Sequence, residues 1–158
     1  MVYAAINEKG EKYFTDMRRV FVSLGNRQTA YNWLITDCEC FCAPEIAERF
    51  GQDYCWIGGE ELTELVMSNR IQWIWAVFSA FDPSVPLSDV LKYDLPQANG
   101  YPGFWKTPVS IQHPLAQMEI VPWDSCSTLL FSKKKEDVDA FLRFFPESER
   151  LETLLDRM

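Results

Sequence analysis

Residues 71–81 are the most apolar stretch of the chain, and this one segment constrains the fold more than any other. Only Gln72 and Ser79 interrupt its run of aliphatic and aromatic residues, and Asp82 and Pro83 end it. A run of this length is too short to span a bilayer, but it suits a strand that is buried on both faces. We therefore predict a central strand at residues 71–81 and no membrane-spanning segment.

Shorter patterns predict the elements around this strand. Loose alternation and strand-forming composition predict further strands at residues 2–6, 31–36, 54–57, 118–123 and 128–131. Apolar residues at helical spacing predict helices at residues 13–24, 43–51, 60–69, 132–145 and 147–157, with a short helix at 87–92. Residues 7–10 have turn composition, and a hairpin there is the alternative to the first helix.

The order of these elements predicts the fold class. Strands and helices do not alternate strictly, so we predict one α+β domain over residues 1–158. Its mixed β-sheet is packed with amphipathic helices, and its C-terminus is helical. Residues 83–114 contain six prolines and are predicted to be mostly loop, which in a compact domain is often functional.

The charge of the chain limits the partners it can have. Its 158 residues include 23 acids and 15 Lys and Arg, for a formal net charge of −8. Such a field repels phosphate backbones, which argues against binding nucleic acid, and it attracts a basic protein. The alternative is that the acidity serves solubility alone.

Five cysteines include an unusual row at Cys38, Cys40 and Cys42. On a strand, these three side chains share one face because side chains alternate. Zinc sites usually space their cysteines by two to four residues, so we predict a reduced, metal-free row of small apolar side chains. A zinc site that also uses Cys55 is the alternative. The odd count and the lack of an export signal predict a cytoplasmic protein.

Catalytic motifs are sparse. Asp124-Ser125-Cys126 and the single histidine, His113, supply the types of residue that a nucleophile and its base require. No nucleophile elbow surrounds Ser125. We therefore predict no catalytic residue and no cofactor, and keep a small enzyme with a site near His113 and Cys126 as the alternative.

Paired carboxylates are a further candidate for catalysis. Such chemistry needs two facing acids at a defined separation, and among 23 acids a pair is expected by chance. The acids considered are Asp82, Asp89, Asp94 and Glu119.

An aromatic loop at residues 93–105 is the predicted binding site. Its rings stand among Pro and Gly residues, which suit a presented loop, and Tyr and Trp are frequent interface anchors. The predicted binding residues are Tyr93, Asp94, Tyr101, Phe104 and Trp105. The alternative is that these rings fold back to cover the sheet.

Three segments resemble a group of small uncharacterised bacterial proteins. They are residues 118–133 with the following Phe-rich helix and Phe145-Pro146, residues 31–35, and residues 73–81, together less than half of the chain. More loosely, the chain resembles the immunity proteins that neutralise bacterial toxins, and neither resemblance brings a catalytic residue. With the acidity and the aromatic loop, we predict an immunity-type or inhibitor protein that binds a basic partner protein. A structural homodimer subunit is a further alternative.

Overall fold

The segment at residues 71–81 forms an interior strand of a seven-stranded sheet, as predicted. The computed structural model describes residues 1–8 and 15–158. The strands are β1 (Tyr3–Asn7), β2 (Asn32–Phe41), β3 (Tyr54–Gly58), β4 (Gln72–Phe81), β5 (Met118–Trp123), β6 (Ser127–Ser132) and β7 (Glu149–Arg150). Their order across the sheet is β3-β2-β4-β5-β6-β1-β7.

The sheet is antiparallel rather than mixed. Each pair of neighbouring strands runs antiparallel, from β3 at one edge to β7 at the other. Parallel neighbours require long crossover connections that return the chain to the same end of the sheet. Here β5 and β6 form a tight hairpin, and strands that run in the same direction, such as β3 and β4, are separated by an antiparallel neighbour. The predicted α+β class and the helical C-terminus are confirmed.

The predicted helices are also confirmed, and all but α3 are shorter than predicted. They are α1 (Met17–Ser23), α2 (Pro44–Phe50), α3 (Gly59–Ser68), α4 (Leu87–Val90), α5 (Lys135–Phe144) and α6 (Leu151–Asp156), with 3-10 turns at Arg27–Ala30 and Pro102–Trp105. Helix α1 begins after Asp16, whose carboxylate accepts the N–H of Arg18 at 3.0 Å. Residues 9 and 10 of the predicted turn, and Tyr13 and Phe14 of the predicted helix, lie outside the described residues.

Helices α1, α2, α3 and α5 cover the inner face of the sheet, whereas α4 and α6 pack on the outer face. Large rings from β2, β4 and α2 form its centre: Trp73 lies 4.9 Å from Phe78 and 5.3 Å from Phe50, and Trp33 lies 6.4 Å from Phe78, between ring centroids. No helix among the described residues is long and apolar enough to cross a bilayer.

The loop of residues 83–114 covers much of the outer face. Val77 and Phe81 of β4 are fully buried beneath it, which explains why β4 is apolar on both faces. The ring of Phe104 stacks on Phe131 of β6 at 5.9 Å, and Val90 of α4 packs with Phe81. These apolar anchors give the long loop a fixed course over the sheet.

Two register shifts between β2 and β4 leave one end of the outer face open. They lie on either side of the pair Glu39 and Trp75. At the first shift Asp37 is an extra residue of β2 with a left-handed φ of 48°, and at the second Ile74 is an extra residue of β4. Trp73 consequently turns inward, whereas Trp75 turns outward and is only half-buried.

Candidate functional site

Nearly all of the net charge comes from one segment, residues 37–64. It holds eight acids and one base, Arg49, whereas the rest of the chain holds 15 acids and 14 bases. All eight acidic residues are exposed: Asp37, Glu39, Glu45, Glu48, Asp53, Glu60, Glu61 and Glu64. We call these eight residues the acidic surface. Its charge is a local property of the end of β2, α2, β3 and the start of α3.

The fold tolerates this concentration of charge at little cost. Glu45 lies in the first turn of α2, and Glu60 and Glu61 lie in the first turn of α3, where the helix dipole favours a negative charge. Arg49 pairs with Glu61 at 3.0 Å, and because both side chains are exposed the pair contributes little to stability. The acidic surface borders β3, the edge strand of the sheet.

A polar cleft of about 350 Å³ opens between the acidic surface and the loop. Asp37, Asp53 and the amide side chains of Gln52 and Gln97 line it. Its loop wall is held by the sheet, because the Asp37 carboxylate accepts the N–H groups of Ala98 and Asn99 at 2.8 and 3.2 Å. The bulge at Asp37 therefore positions a carboxylate and fixes the course of the loop at the same time.

Three half-buried tryptophans lie on the open end of the outer face. The Trp123 ring contacts Trp75 at 5.2 Å and Trp105 at 5.3 Å, in both cases edge to face. We call Trp75, Trp105 and Trp123 the aromatic row. Trp75 is the cross-strand partner of Glu39, and Phe41, which is 71% exposed, follows on β2. The aromatic row therefore adjoins the acidic surface.

The predicted binding residues separate into two groups. Trp105 belongs to the aromatic row, and Tyr93 and Asp94 are exposed near the start of the loop. Phe104 is 1% exposed beneath the half-buried Tyr101, whose ring lies 4.8 Å away. Phe104 is therefore an anchor of the core in this conformation, as the alternative interpretation has it, and it offers a partner no contact.

His113 has a structural environment. The ring lies between Phe81 and Tyr93, and it is 2% exposed. Nδ1 accepts the N–H of Leu115 at 3.1 Å, so Nε2 carries the proton and donates to the carbonyl of Val90 at 2.9 Å. Burial lowers the pKa of His113, which keeps the ring neutral.

The structure does not bring His113 and Cys126 together. His113 packs on Phe81 at one end of β4, whereas the turn that carries Cys126 bonds to Ile74 through the N–H of Ser125. Seven strand residues separate these points, or about 24 Å. The geometry thus provides no pair of nucleophile and base here.

Glu119 is a buried acid on the outer face of β5. It is 0% exposed, and its Oε2 accepts the N–H of Gln112 at 3.0 Å. Oε1 and the hydroxyl of its cross-strand partner Ser79 have no hydrogen-bond partner among the described residues. Burial raises the pKa of Glu119 to about 8.

Two of the other acids considered for catalysis, Asp82 and Asp89, have separate partners, and Asp94 is exposed. Asp82 accepts the N–H and the hydroxyl of Ser84, at 3.0 and 2.7 Å, and Asp89 pairs with Lys92 at 2.9 Å. The contact of Asp82 stabilises a turn and that of Asp89 is an exposed ion pair, so neither acid faces a second carboxylate in these contacts.

The row of cysteines lies where β2 ends, and all five cysteines of the chain are free thiols. The Sγ atoms of Cys40 and Cys42 are 3.4 Å apart. No cluster of three or more His, Cys, Asp or Glu among the described residues is arranged to hold a metal ion. The reduced, metal-free row remains a prediction, and elemental analysis that finds one zinc per chain would contradict it.

No protein family, curated protein or solved structure matches the chain. The function is therefore inferred from the acidic surface and the aromatic row. A count of charges along the sequence reveals the acidic surface. The aromatic row joins residues from β4, the loop and β5, and no sequence pattern links these residues.

Proposed function

We propose that the chain is an immunity-type or inhibitor protein, which binds a basic partner protein and neutralises it. The observation that carries this proposal is the concentration of charge: residues 37–64 supply a net −7 of the total −8. Acidity that served solubility alone would need no such concentration. We place this activity in the cytoplasm of a bacterial cell, where five free thiols stay reduced.

The acidic surface suits the first step of association. Charges of one sign on one side of a molecule steer an oppositely charged partner and orient it on approach. All eight acids are exposed, so their charge acts through solvent and is sensitive to salt. This arrangement favours rapid capture of a basic protein.

The aromatic row suits the second step, retention of the partner. Interface hot spots are enriched in Trp, and they lie beside polar residues that exclude water. The three rings are half-buried and hold each other edge to face, so little conformational entropy is lost when a partner covers them. A homodimer formed through this region would instead bring two acidic surfaces together.

Capture from a lysate of the native host tests the proposal. We expect the wild-type chain to retain a basic protein that mass spectrometry identifies. A variant with four amide substitutions, Glu45→Gln, Glu48→Gln, Glu60→Gln and Glu64→Gln, should lose it, because these acids are exposed and lie on the acidic surface.

A matched control removes four exposed acids that lie elsewhere. Its substitutions are Asp82→Asn, Glu136→Gln, Glu147→Gln and Asp156→Asn. The two variants have the same net charge, so only the position of the charge differs. Equal retention by both variants, or equal loss, would contradict a role for the acidic surface. If the captured protein is a toxin, coexpression of the chain should restore growth.

A further inference from the structure

Three thiols lie close together in the chain at the end of β2, and two of them are in contact. Cys38 and Cys40 lie on the strand, and Cys42 lies at a bend between the strand and α2. Sγ of Cys40 is 3.4 Å from Sγ of Cys42, and Cys38 lies two residues before Cys40 on the same strand. All three residues are half-buried, so none of them is sealed within the core.

We propose that Cys40 and Cys42 are a redox-active dithiol that reduces low-molecular-weight disulfides, cationic ones in preference to anionic ones. The proposal rests on the geometry of the thiols and on the charges around them. It does not depend on the binding of a partner protein.

Cys40 is the nucleophile of the pair. Hydrogen bonds from the thiol of Cys38 and then from that of Cys42 lower the pKa of Cys40 to about 7, against the opposing effect of burial. Burial and the bond to Cys40 raise the pKa of Cys42 to about 12, and the hydrogen bond to Cys40 and burial also raise that of Cys38. Near neutral pH the thiolate therefore resides on Cys40, with a protonated thiol on each side.

The reaction proceeds by two exchange steps. The Cys40 thiolate attacks one sulfur of the disulfide R–S–S–R, forming a Cys40–S–S–R bond while R–S⁻ leaves and takes up a proton. Cys42 then gives its proton to solvent and attacks Sγ of Cys40, which closes the Cys40–Cys42 disulfide and expels the second R–S⁻. Two thiols of the protein lose two electrons and two protons in total, and one disulfide becomes two thiols.

The second step needs only a small movement. The two Sγ atoms are 3.4 Å apart, and an S–S bond is about 2.05 Å long. Cys42 lies beyond the last residue of β2, so the strand pairing does not hold it in place. A disulfide across a single intervening residue closes a small ring, and strained disulfides are readily reduced. The pair is therefore suited to cycling between its two states.

The surroundings favour a cationic substrate. Cys40 and Cys42 lie within the segment that carries net −7. The exposed Glu45 follows Cys42 by three residues and acts on its thiol electrostatically. Cystamine combines a cationic charge with a disulfide, whereas glutathione disulfide is anionic.

Intact-mass spectrometry of the full chain tests the proposal. The experiment uses a Cys126→Ser background, because the exposed Cys126 would also react. After treatment with cystamine, we expect the loss of two hydrogens and a disulfide that peptide mapping assigns to Cys40 and Cys42. Cys42→Ser should stop at an adduct that retains one cysteamine, Cys40→Ser should form neither product, and Cys38→Ser should still close the disulfide.

Kinetics in the same background test the preference for charge. At low ionic strength we expect cystamine to react about tenfold faster than glutathione disulfide, or more. Salt near 1 M should bring this ratio down several-fold, which separates the effect of charge from the intrinsic reactivity of the two reagents. A ratio unaffected by salt would overturn the cationic preference.

Mapping in the chain with both thiols intact decides the proposal even if a serine variant fails to fold. A disulfide that joins Cys38 to either neighbour, or only unresolved adducts, would overturn the assignment of Cys40 and Cys42.

Discussion

Glu119 is a carboxylic acid buried within the outer face of the sheet, and its burial links the stability of the protein to pH. Its folded-state pKa is about 8, whereas an unfolded Glu titrates near 4.3, roughly. The folded state therefore keeps a proton that the unfolded state releases. The resulting stabilisation is fully present below the unfolded pKa, and it is lost as the pH rises towards about 8.

Glu119→Gln should remove this dependence. Between about pH 6.5 and pH 8, we expect the free energy of unfolding of the wild type to fall by about 2 kcal/mol relative to the variant. Urea denaturation at both pH values measures this difference in the free energy of unfolding. His113 and the cysteines titrate in both proteins, so their contribution cancels when the two are compared. The exposed Glu64→Gln is the control and should follow the wild type. A constant difference between Glu119→Gln and wild type would contradict the raised pKa.

Val77 and Trp75 on the same strand differ in the burial of their side chains. Val77 is 0% exposed beneath the loop, whereas Trp75 is half-buried at the open end of the outer face. Val77→Asp places an unpaired charge in the core and should prevent folding. Trp75→Asp leaves its charge in contact with water, so we expect a folded protein with a lower thermal midpoint. Circular dichroism measures both, and an unfolded Trp75→Asp variant would contradict the open end.

At the scale of elements, the loop of residues 83–114 depends on a few apolar anchors. Phe104→Ala removes the ring that stacks on Phe131, and a buried Phe→Ala substitution costs about 3–5 kcal/mol. We expect lower stability and faster proteolysis within the loop. Tyr93→Ala in the same loop is the control, because its side chain is 42% exposed. Equal rates of cleavage in the two variants would show that Phe104 does not hold the loop.

Periodicity predicts most of the elements because each strand and helix buries a regular face. The strand at residues 71–81 and the helices that became α2, α3 and α5 follow directly from this rule. Periodicity does not predict strand β7, because a strand of two residues has no measurable period. Its pairing with Ala5 and Ile6 depends on the tertiary fold. The antiparallel order of the strands likewise follows from long-range pairing.

The candidate site is less accessible from sequence than the fold. The aromatic row requires the two register shifts beside Glu39, which turn Trp75 outward although it belongs to an apolar run. The sequence pattern of one strand does not determine its register with the neighbouring strand. Phe104 was predicted to bind a partner from its loop composition, but composition does not distinguish a ring that anchors a loop from one that the loop presents.

At the scale of the whole molecule, the proposed binding has two separable contributions. Raising the salt concentration should slow association with a cognate partner and leave dissociation comparatively unchanged, because the acidic surface acts at a distance. Trp105→Ala should mainly speed dissociation, with a loss of about 2 kcal/mol if its ring is a hot spot. Surface plasmon resonance measures both rate constants. Leu91→Ala, which removes an exposed apolar side chain outside the predicted binding residues, is the control. Affinity that responds to neither salt nor Trp105→Ala would contradict the proposal.

The position of β3 at the edge of the sheet has a consequence for the behaviour of the protein at high concentration. An uncovered edge strand is a template on which a second copy can continue the sheet, and such growth ends in aggregates. Asp53 immediately before β3 and the acids of α3 immediately after it place negative charge at both ends of that edge. Two copies approaching edge to edge would repel each other for as long as these carboxylates are ionised. The carboxylates that we propose to attract a foreign protein thus also oppose polymerisation of the molecule with itself, and acidification would withdraw both effects together.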